Sequence, residues 1–175
     1  MASDFGYHRR AAEALTAHLA ISKTFGHVRR RSDHDDPATA QWLAAVARAN
    51  SAWQSVFPAH FWEEYEKLKR GDASGAETAI EFLEADPWFP QSGYVKANLA
   101  NFLKRVHLDP SQISRLQSVV LNIVDKRASQ EFRRYCQLAR RIDGLVLREG
   151  LTSRCANADD GVRRRARWMF QALWR

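Results

Sequence analysis

The sequence predicts an all-α protein, and three observations lead to that prediction. Apolar residues recur every three to four positions over most of the 175 residues. Gly and Pro are few, at 8 and 5 residues, which favours long helices over a turn-rich β fold. The one alternating stretch, residues 119–124, has flanks with helical spacing, so no strand is expected. We therefore expect about nine antiparallel helices, stacked as a short solenoid or as an irregular helical bundle.

Each expected helix follows from its apolar spacing and from the residues at its ends. The polar segment 26–37 ends in a proline and is expected to be an exposed loop. Asp109 and Pro110 form a good helix start, because an Asp side chain caps the first amide groups and Pro suits the first helical position. The helices are expected at 7–24, 38–56, about 61–70, 74–84, 92–106, from 110, at 129–142, 145–155 and 161–174.

Composition and charge suggest a single domain, 1–175, with two unequal halves. The apolar fraction of 45% is enough for a folded core. Residues 1–87 hold 10 Lys/Arg against 13 Asp/Glu, a balance of −3, and residues 88–175 hold 17 against 7, a balance of +10. We expect 1–87 to be an acidic, irregular helical half that caps or braces a basic, repeat-like half, 88–175.

The chain carries none of the common signatures of catalysis, metal binding or cofactor binding. There is no Cys-x2-Cys pair, HExxH, Walker A, GxGxxG or GxSxG sequence. The His and Asp residues of the 26–37 loop match no metal-ligand spacing, so we expect no metal and no cofactor. No signal peptide or membrane-spanning run is present, so a cytoplasmic protein without a membrane partner is expected. Binding is therefore preferred to enzymatic chemistry.

Arginines and tryptophans of the last three helices form the main candidate binding surface. With the apolar stripe facing inward, these side chains lie on or beside the outer faces of their helices. Guanidinium groups bind carboxylates and phosphates, and indoles supply anchor or stacking contacts. The alternative is an ordinary solvated surface. The candidate residues are Arg133, Arg134, Arg140, Arg141, Arg148, Arg163, Arg164, Arg167, Trp168 and Trp174.

The segment DPWFPQSGY holds a second candidate, an aromatic anchor made of Trp88 and Phe89. A turn bracketed by prolines can present such side chains to a partner. The same pair could instead fill the gap between two helices.

The stretch LREGLTSRCANADDGVRRRARWMFQAL resembles a HEAT-like helical repeat. In such repeats an apolar first helix, here with Leu147 and Leu151, leads to an acidic turn, here Asp159 and Asp160. The second helix then opens with Val, Arg and a small residue, here Val162, Arg163 and Ala166. The resemblance covers residues 145–174 and, more weakly, 110–142. The first half departs from it, because its helices vary in length and carry bulky Trp and Tyr.

The resemblance implies a non-catalytic adaptor that binds an acidic protein partner or larger assembly through the basic Arg/Trp surface. The alternative is nucleic-acid binding through phosphate contacts at the same surface. A further alternative is a helical-repeat DNA-repair enzyme, which needs an Asp and a Trp facing a basic groove. The pairs Asp86 with Trp88, or Asp159 with Trp168, are the candidates for that role.

Overall fold

We describe the protein from a computed structural model, in which residues 5–28, 36–126 and 131–174 are defined. Within these ranges the chain has nine α-helices, one short 3₁₀ helix and no strand, so the all-α prediction is confirmed. The helices are α1 (Tyr7–Phe25), α2 (Pro37–Ser55), α3 (Phe61–Lys69), α4 (Ala76–Ala85), α5 (Ser92–Leu103), α6 (Pro110–Lys126), α7 (Phe132–Arg141), α8 (Leu145–Cys155) and α9 (Asp160–Ala172).

Side-chain caps explain where two of the helices begin. The Asp36 carboxylate accepts hydrogen bonds from the backbone amides of Ala38 and Thr39, at 3.4 and 3.3 Å, and Pro37 takes the first position of α2. The Asp159 carboxylate likewise accepts from the Val162 amide at 2.8 Å and starts α9. The acidic turn of the expected repeat thus has a local role as a helix cap.

Several expected helices differ from the structure at their ends, among them the helix expected at 129–142, which is α7 from Phe132 to Arg141. The helix expected from residue 74 begins as α4 at Ala76, because Ala73–Gly75 forms the 3₁₀ helix. There the Asp72 carboxylate accepts from the Ser74 amide at 2.9 Å. The helix expected to reach residue 106 ends at Leu103, although Val106 is still buried.

The described chain forms two compact units. The first unit contains the described residues of 1–59 together with 87–92. Its helices α1 and α2 form an antiparallel hairpin, and Arg10 near the start of α1 donates to the Ser55 carbonyl oxygen at the end of α2, at 3.0 Å. Small buried residues line this hairpin, namely Ala11, Ala14, Ala45 and Ala49.

The second unit contains the described residues of 60–86 and 93–175, which include α3, α4, nearly all of α5, and α6 to α9. In this unit α6 and α8 run in the same direction, because Leu121 lies beside Gly150 and Asp125 pairs with Arg154 four residues further along each helix. A Cβ atom on Gly150 would lie 2.7 Å from Leu121 Cδ1, so glycine permits this close approach.

Helices α7 and α9 are the return helices of two antiparallel pairs. The Gln117 amide in α6 donates to the Ile142 carbonyl oxygen just after α7, at 2.8 Å, so α7 runs back along α6. Arg148 near the start of α8 lies against Trp174 just after α9, so α9 runs back along α8. Helices α7 and α9 are therefore parallel neighbours.

The boundary between the two units differs from the boundary expected between the two charge halves. Residues 60–86 hold three Lys/Arg against eight Asp/Glu, a balance of −5, and they fold into the same unit as the basic helices α6 to α9. Within this unit, Glu77, Glu84 and Asp86 of the acidic half pair with Arg115, Lys96 and Lys126 of the basic half. Across the described residues, no helix is both long and apolar enough to cross a membrane.

Candidate partner-binding face

The outer surface of α9 carries a depression of about 470 Å³. Four residues singled out in the sequence line it, together with Asp160, Gly161 and Gln171. They recur at helical spacing on the side of α9 opposite its buried residues Val162, Ala166 and Met169. The four are Arg163, Arg164, Arg167 and Trp168.

Trp168 is the aromatic centre of this depression. Its side chain is 47% exposed. The Arg164 guanidinium carbon lies 5.3 Å from the centroid of its ring, a cation–π contact, and the Phe132 ring of α7 meets it edge-on at 6.4 Å. The indole is thus held in position by packing while one part of its surface remains open to a ligand.

The neighbouring helix α7 carries four exposed arginines. Arg133 and Arg134 follow Phe132 in the first turn, and Arg140 and Arg141 lie in the last turn. All four are exposed, and Arg134 donates to the side-chain amide oxygen of Gln137 at 3.2 Å. We call Arg133, Arg134, Arg140, Arg141, Arg164, Arg167 and Trp168 the α7–α9 face. Within the part of the chain that the structure describes, none of its six arginines forms an ion pair.

Two arginines of the sequence-based candidate surface, Arg163 and Arg148, are engaged by contacts within the chain. Arg163 donates to the carbonyl oxygens of Asn157 and Ala158, at 2.6 and 2.8 Å, and pairs with Asp160, so it closes the end of α8. Arg148 makes a two-pronged ion pair with Asp143 and lies over the Trp174 ring at 5.0 Å. These contacts leave Arg163 and Arg148 less free for a ligand than the α7–α9 face.

A second set of cations in the same unit is neutralised by carboxylates. Arg115 of α6 bonds both Glu84 oxygens, at 2.8 and 2.6 Å, and Glu77 at 2.5 Å. Asp86 accepts from Lys96 at 2.5 Å and from Lys126 at 2.7 Å. We call these six residues, Glu77, Glu84, Asp86, Lys96, Arg115 and Lys126, the α4–α6 side.

The Asp86 carboxylate is held in its charged form. Burial opposes ionisation, but hydrogen bonds and charge attraction from Lys126 and Lys96 outweigh burial and lower the pKa of Asp86. Lys96 is only 2% exposed and Asp86 is 18% exposed, so this largely buried ion pair ties α5 to the end of α4. Asp86 and Asp159, the carboxylates considered for a repair enzyme, are thus an ion-pair partner and a helix cap.

The aromatic pair of the DPWFPQSGY turn is divided in the structure. Phe89 is buried and packs edge-on against Phe57 at 5.7 Å, within the first unit. Trp88 is 53% exposed. Phe89 therefore fills a gap, which was the alternative expected for this turn, and it is not an exposed anchor.

The sequence reasoning missed a buried arginine in α9. Arg165 Nε donates to the Val124 carbonyl oxygen at 2.6 Å and its Nη2 to the Asp125 carbonyl oxygen at 3.3 Å, near the end of α6. Its position, three residues after Val162 and four before Met169, is in phase with the apolar stripe. This spacing alone could have identified Arg165 as a residue on the buried side of α9.

The described residues contain no group of three or more His, Cys, Asp or Glu side chains arranged to hold a metal ion. Most of the polar loop expected at 26–37, including His34, lies outside the described residues. Comparison of the chain with known protein families, with curated proteins and with solved structures finds no match.

Proposed function

We propose that this protein is a cytoplasmic helical-repeat adaptor that binds an acidic protein partner through the α7–α9 face. The observation that carries the proposal is the pairing pattern of the second unit. Its cations on the α4–α6 side are matched by carboxylates of the same chain, whereas the six described arginines of the α7–α9 face are not. Unpaired guanidiniums around a half-exposed tryptophan are the usual composition of an interface hot spot.

The packing of Trp168 favours a protein as the partner. Its ring is braced on one side by Phe132 and covered in part by Arg164. A partner's apolar side chain can be buried against the remaining indole surface while its carboxylates bind Arg164 and Arg167. Such an anchor costs little conformational entropy on binding, because neighbouring side chains already hold the ring.

The arrangement of α6 to α9 supports the helical-repeat part of the proposal. Two antiparallel pairs are stacked so that the first helices, α6 and α8, are parallel, and so are the second helices, α7 and α9. Stacking of this kind puts the outer surfaces of α7 and α9 side by side, which yields an extended binding surface.

Nucleic acid is the second candidate ligand, and one observation favours it. The four exposed arginines of α7 have no carboxylate among them along that helix, so they could contact successive phosphates. Affinity for a duplex should then fall steeply as salt increases. A gel shift with no complex at about 50 mM salt, the low end of the usual range, eliminates this candidate.

Paired charge reversals test the adaptor proposal. Tagged wild-type protein and the Arg164→Glu/Arg167→Glu variant are used to capture partners from nuclease-treated extract of the native host. Arg134→Glu/Arg141→Glu tests the α7 part of the face. We expect both variants to lose the captured protein with an unchanged circular dichroism spectrum, because the four arginines are exposed and form no ion pair with any described residue.

The control is Arg9→Glu/Arg48→Glu, which makes the same change in net charge on exposed helical positions of the first unit. It should keep the partner. Equal capture by wild type and the two α7–α9 variants contradicts the surface assignment, and loss of the partner on nuclease treatment favours nucleic acid instead.

A further inference from the structure

The corner between α7 and α8 exposes aliphatic side chains to a degree that core packing does not explain. Leu145 and Val146, in the first turn of α8, are 72% and 64% exposed. Their neighbour Leu147 is fully buried, so the corner presents Leu145 and Val146 outward while Leu147 holds the turn in place. Burial of two such side chains in an apolar medium is favourable, and this unit leaves them in water.

Trp174 extends the apolar corner from the neighbouring helix. It is 67% exposed and follows the end of α9. The Arg148 guanidinium joins the two elements, because it lies 5.0 Å from the Trp174 ring and three residues after Leu145 on the same helix. Leu145, Val146 and Trp174 are thus three apolar side chains grouped at one end of the second unit. We call them the apolar corner.

Positive charge accompanies the apolar corner. Arg140 and Arg141 precede it by one short connection, and neither forms an ion pair with any described residue. Asp143 also lies in that connection, but Arg148 neutralises it through a two-pronged ion pair. In the described segment 140–155, Glu149 is the one other carboxylate. The net charge beside the apolar corner is therefore positive.

We propose that the apolar corner docks on an anionic phospholipid surface, with Leu145, Val146 and Trp174 entering the interface and Arg140 and Arg141 binding the headgroups. Aliphatic side chains have no stacking contact to offer nucleic-acid bases, and a tryptophan beside arginines is the composition that lies best at a bilayer interface. Juxtamembrane arginines add attraction to anionic lipids. The proposed contact is peripheral: the protein binds the surface of the bilayer and does not span it.

This site differs from the one that the sequence led us to expect. The expectation of no membrane partner rested on the lack of a spanning segment, which does not bear on a peripheral contact. The docking shares Arg140 and Arg141 with the α7–α9 face but does not use Trp168, Arg164 or Arg167. The Arg164→Glu/Arg167→Glu variant therefore tests the proposed partner-binding function separately from the docking.

Co-sedimentation with phospholipid vesicles tests the docking. The full chain is mixed with vesicles of phosphatidylcholine plus phosphatidylserine, and separately with phosphatidylcholine alone. We expect binding to the first and little to the second, and a decrease in binding as salt increases. Leu145→Ser/Val146→Ser should weaken binding at least about tenfold, because two side chains lose their transfer into the interface.

The matched control is Leu19→Ser/Leu43→Ser, which removes two exposed leucines from α1 and α2 of the first unit. It should bind vesicles as the wild type does. A second measurement uses quenching of tryptophan fluorescence by brominated lipids. Trp174→Phe should remove most of the quenching, while Trp168→Phe should leave it.

Failure of the wild-type chain to sediment with phosphatidylserine vesicles overturns the docking proposal, as does an equal loss in the leucine control. If the apolar corner binds a protein and not lipid, the wild-type chain will not sediment with the vesicles. The Arg164→Glu/Arg167→Glu variant should keep its vesicle binding, so a failure of the adaptor proposal is distinguishable from a failure here.

Discussion

The α4–α6 side and the α7–α9 face belong to the same unit and both are rich in cations, yet they use their cations differently. On the α4–α6 side, Arg115 and Lys126 meet carboxylates from residues 77–86. On the α7–α9 face, the described arginines have no such partners. Net charge alone therefore does not distinguish the two regions. They differ in the charge that is left after the chain has paired its own groups, and our proposal rests on that difference.

The largest effect should come from breaking the buried pair on the α4–α6 side. Asp86→Asn keeps the shape of the side chain and tolerates the left-handed backbone of residue 86, where φ is 45°. It removes the negative charge opposite the buried Lys96 ammonium. We expect the free energy of unfolding to fall by about 3 kcal/mol, measured by urea denaturation.

Lys126→Ala is the matched control, because it removes the other partner of Asp86. The Lys126 side chain is more than half exposed, so the loss should stay below about 1 kcal/mol. Lowering the pH should decrease the free energy of unfolding, as Asp86→Asn does. Since the folded state lowers the pKa of Asp86, its stabilisation is present above the unfolded pKa of about 3.9 and is lost as pH falls through the lower folded value. Equal losses in the two variants contradict this assignment.

The next effect concerns binding. Trp168→Ala removes the proposed anchor of the α7–α9 face. We expect affinity for the captured partner to fall about 30-fold, which corresponds to roughly 2 kcal/mol. Titration calorimetry with the purified partner measures it. Trp88→Ala, at a tryptophan of similar exposure in the first unit, is the control and should bind normally.

Arg115 offers the converse test, with an effect on stability and none on binding. Arg115→Ala leaves Glu77 and Glu84 without their shared guanidinium. These three charged side chains are partly exposed, so we expect the free energy of unfolding to fall by about 1 kcal/mol. Urea denaturation measures it. Partner binding should stay at the wild-type value. A loss of binding from Arg115→Ala removes the distinction between the two regions.

The smallest effect on the free energy of unfolding is expected at Tyr135 of α7. Its hydroxyl is buried and makes no hydrogen bond to any described residue, and burial, with the nearby charges of Asp86 and Glu131, raises its pKa well above the usual value. Tyr135→Phe deletes a polar group that contributes no protein hydrogen bond. Stability should therefore be unchanged within about 0.5 kcal/mol or should increase. A marked loss shows that the hydroxyl has a partner that the structure does not contain.

Much of the fold was predictable because it depends on local periodicity. The helix expected at 145–155 is α8, Leu145–Cys155, and most other helices match within a few residues. Apolar spacing fixes which side of a helix faces inward, and Pro37, Pro110 and Gly144 mark where helices begin. These signals lie within one helix and need no knowledge of its neighbours.

The pairing of charges was not predictable, because it depends on which helices are neighbours. Arg115 and Glu77 are 38 positions apart, and nothing in their local sequence links them. Arg165 lay in phase with the apolar stripe, but only the structure shows the two carbonyl oxygens at the end of α6 that make its burial possible.

Site-specific photocrosslinking tests the central claim most directly. A photoreactive amino acid replaces Gln171, which lines the α9 depression, or Gln41, an exposed glutamine of α2 in the first unit. Cells of the native host are irradiated and the adducts are treated with nuclease. We predict a nuclease-resistant adduct to one acidic protein from position 171 and none from position 41, with loss of the adduct in Arg164→Glu/Arg167→Glu. An adduct that nuclease removes, or the same adduct from both positions, contradicts a protein-binding α7–α9 face.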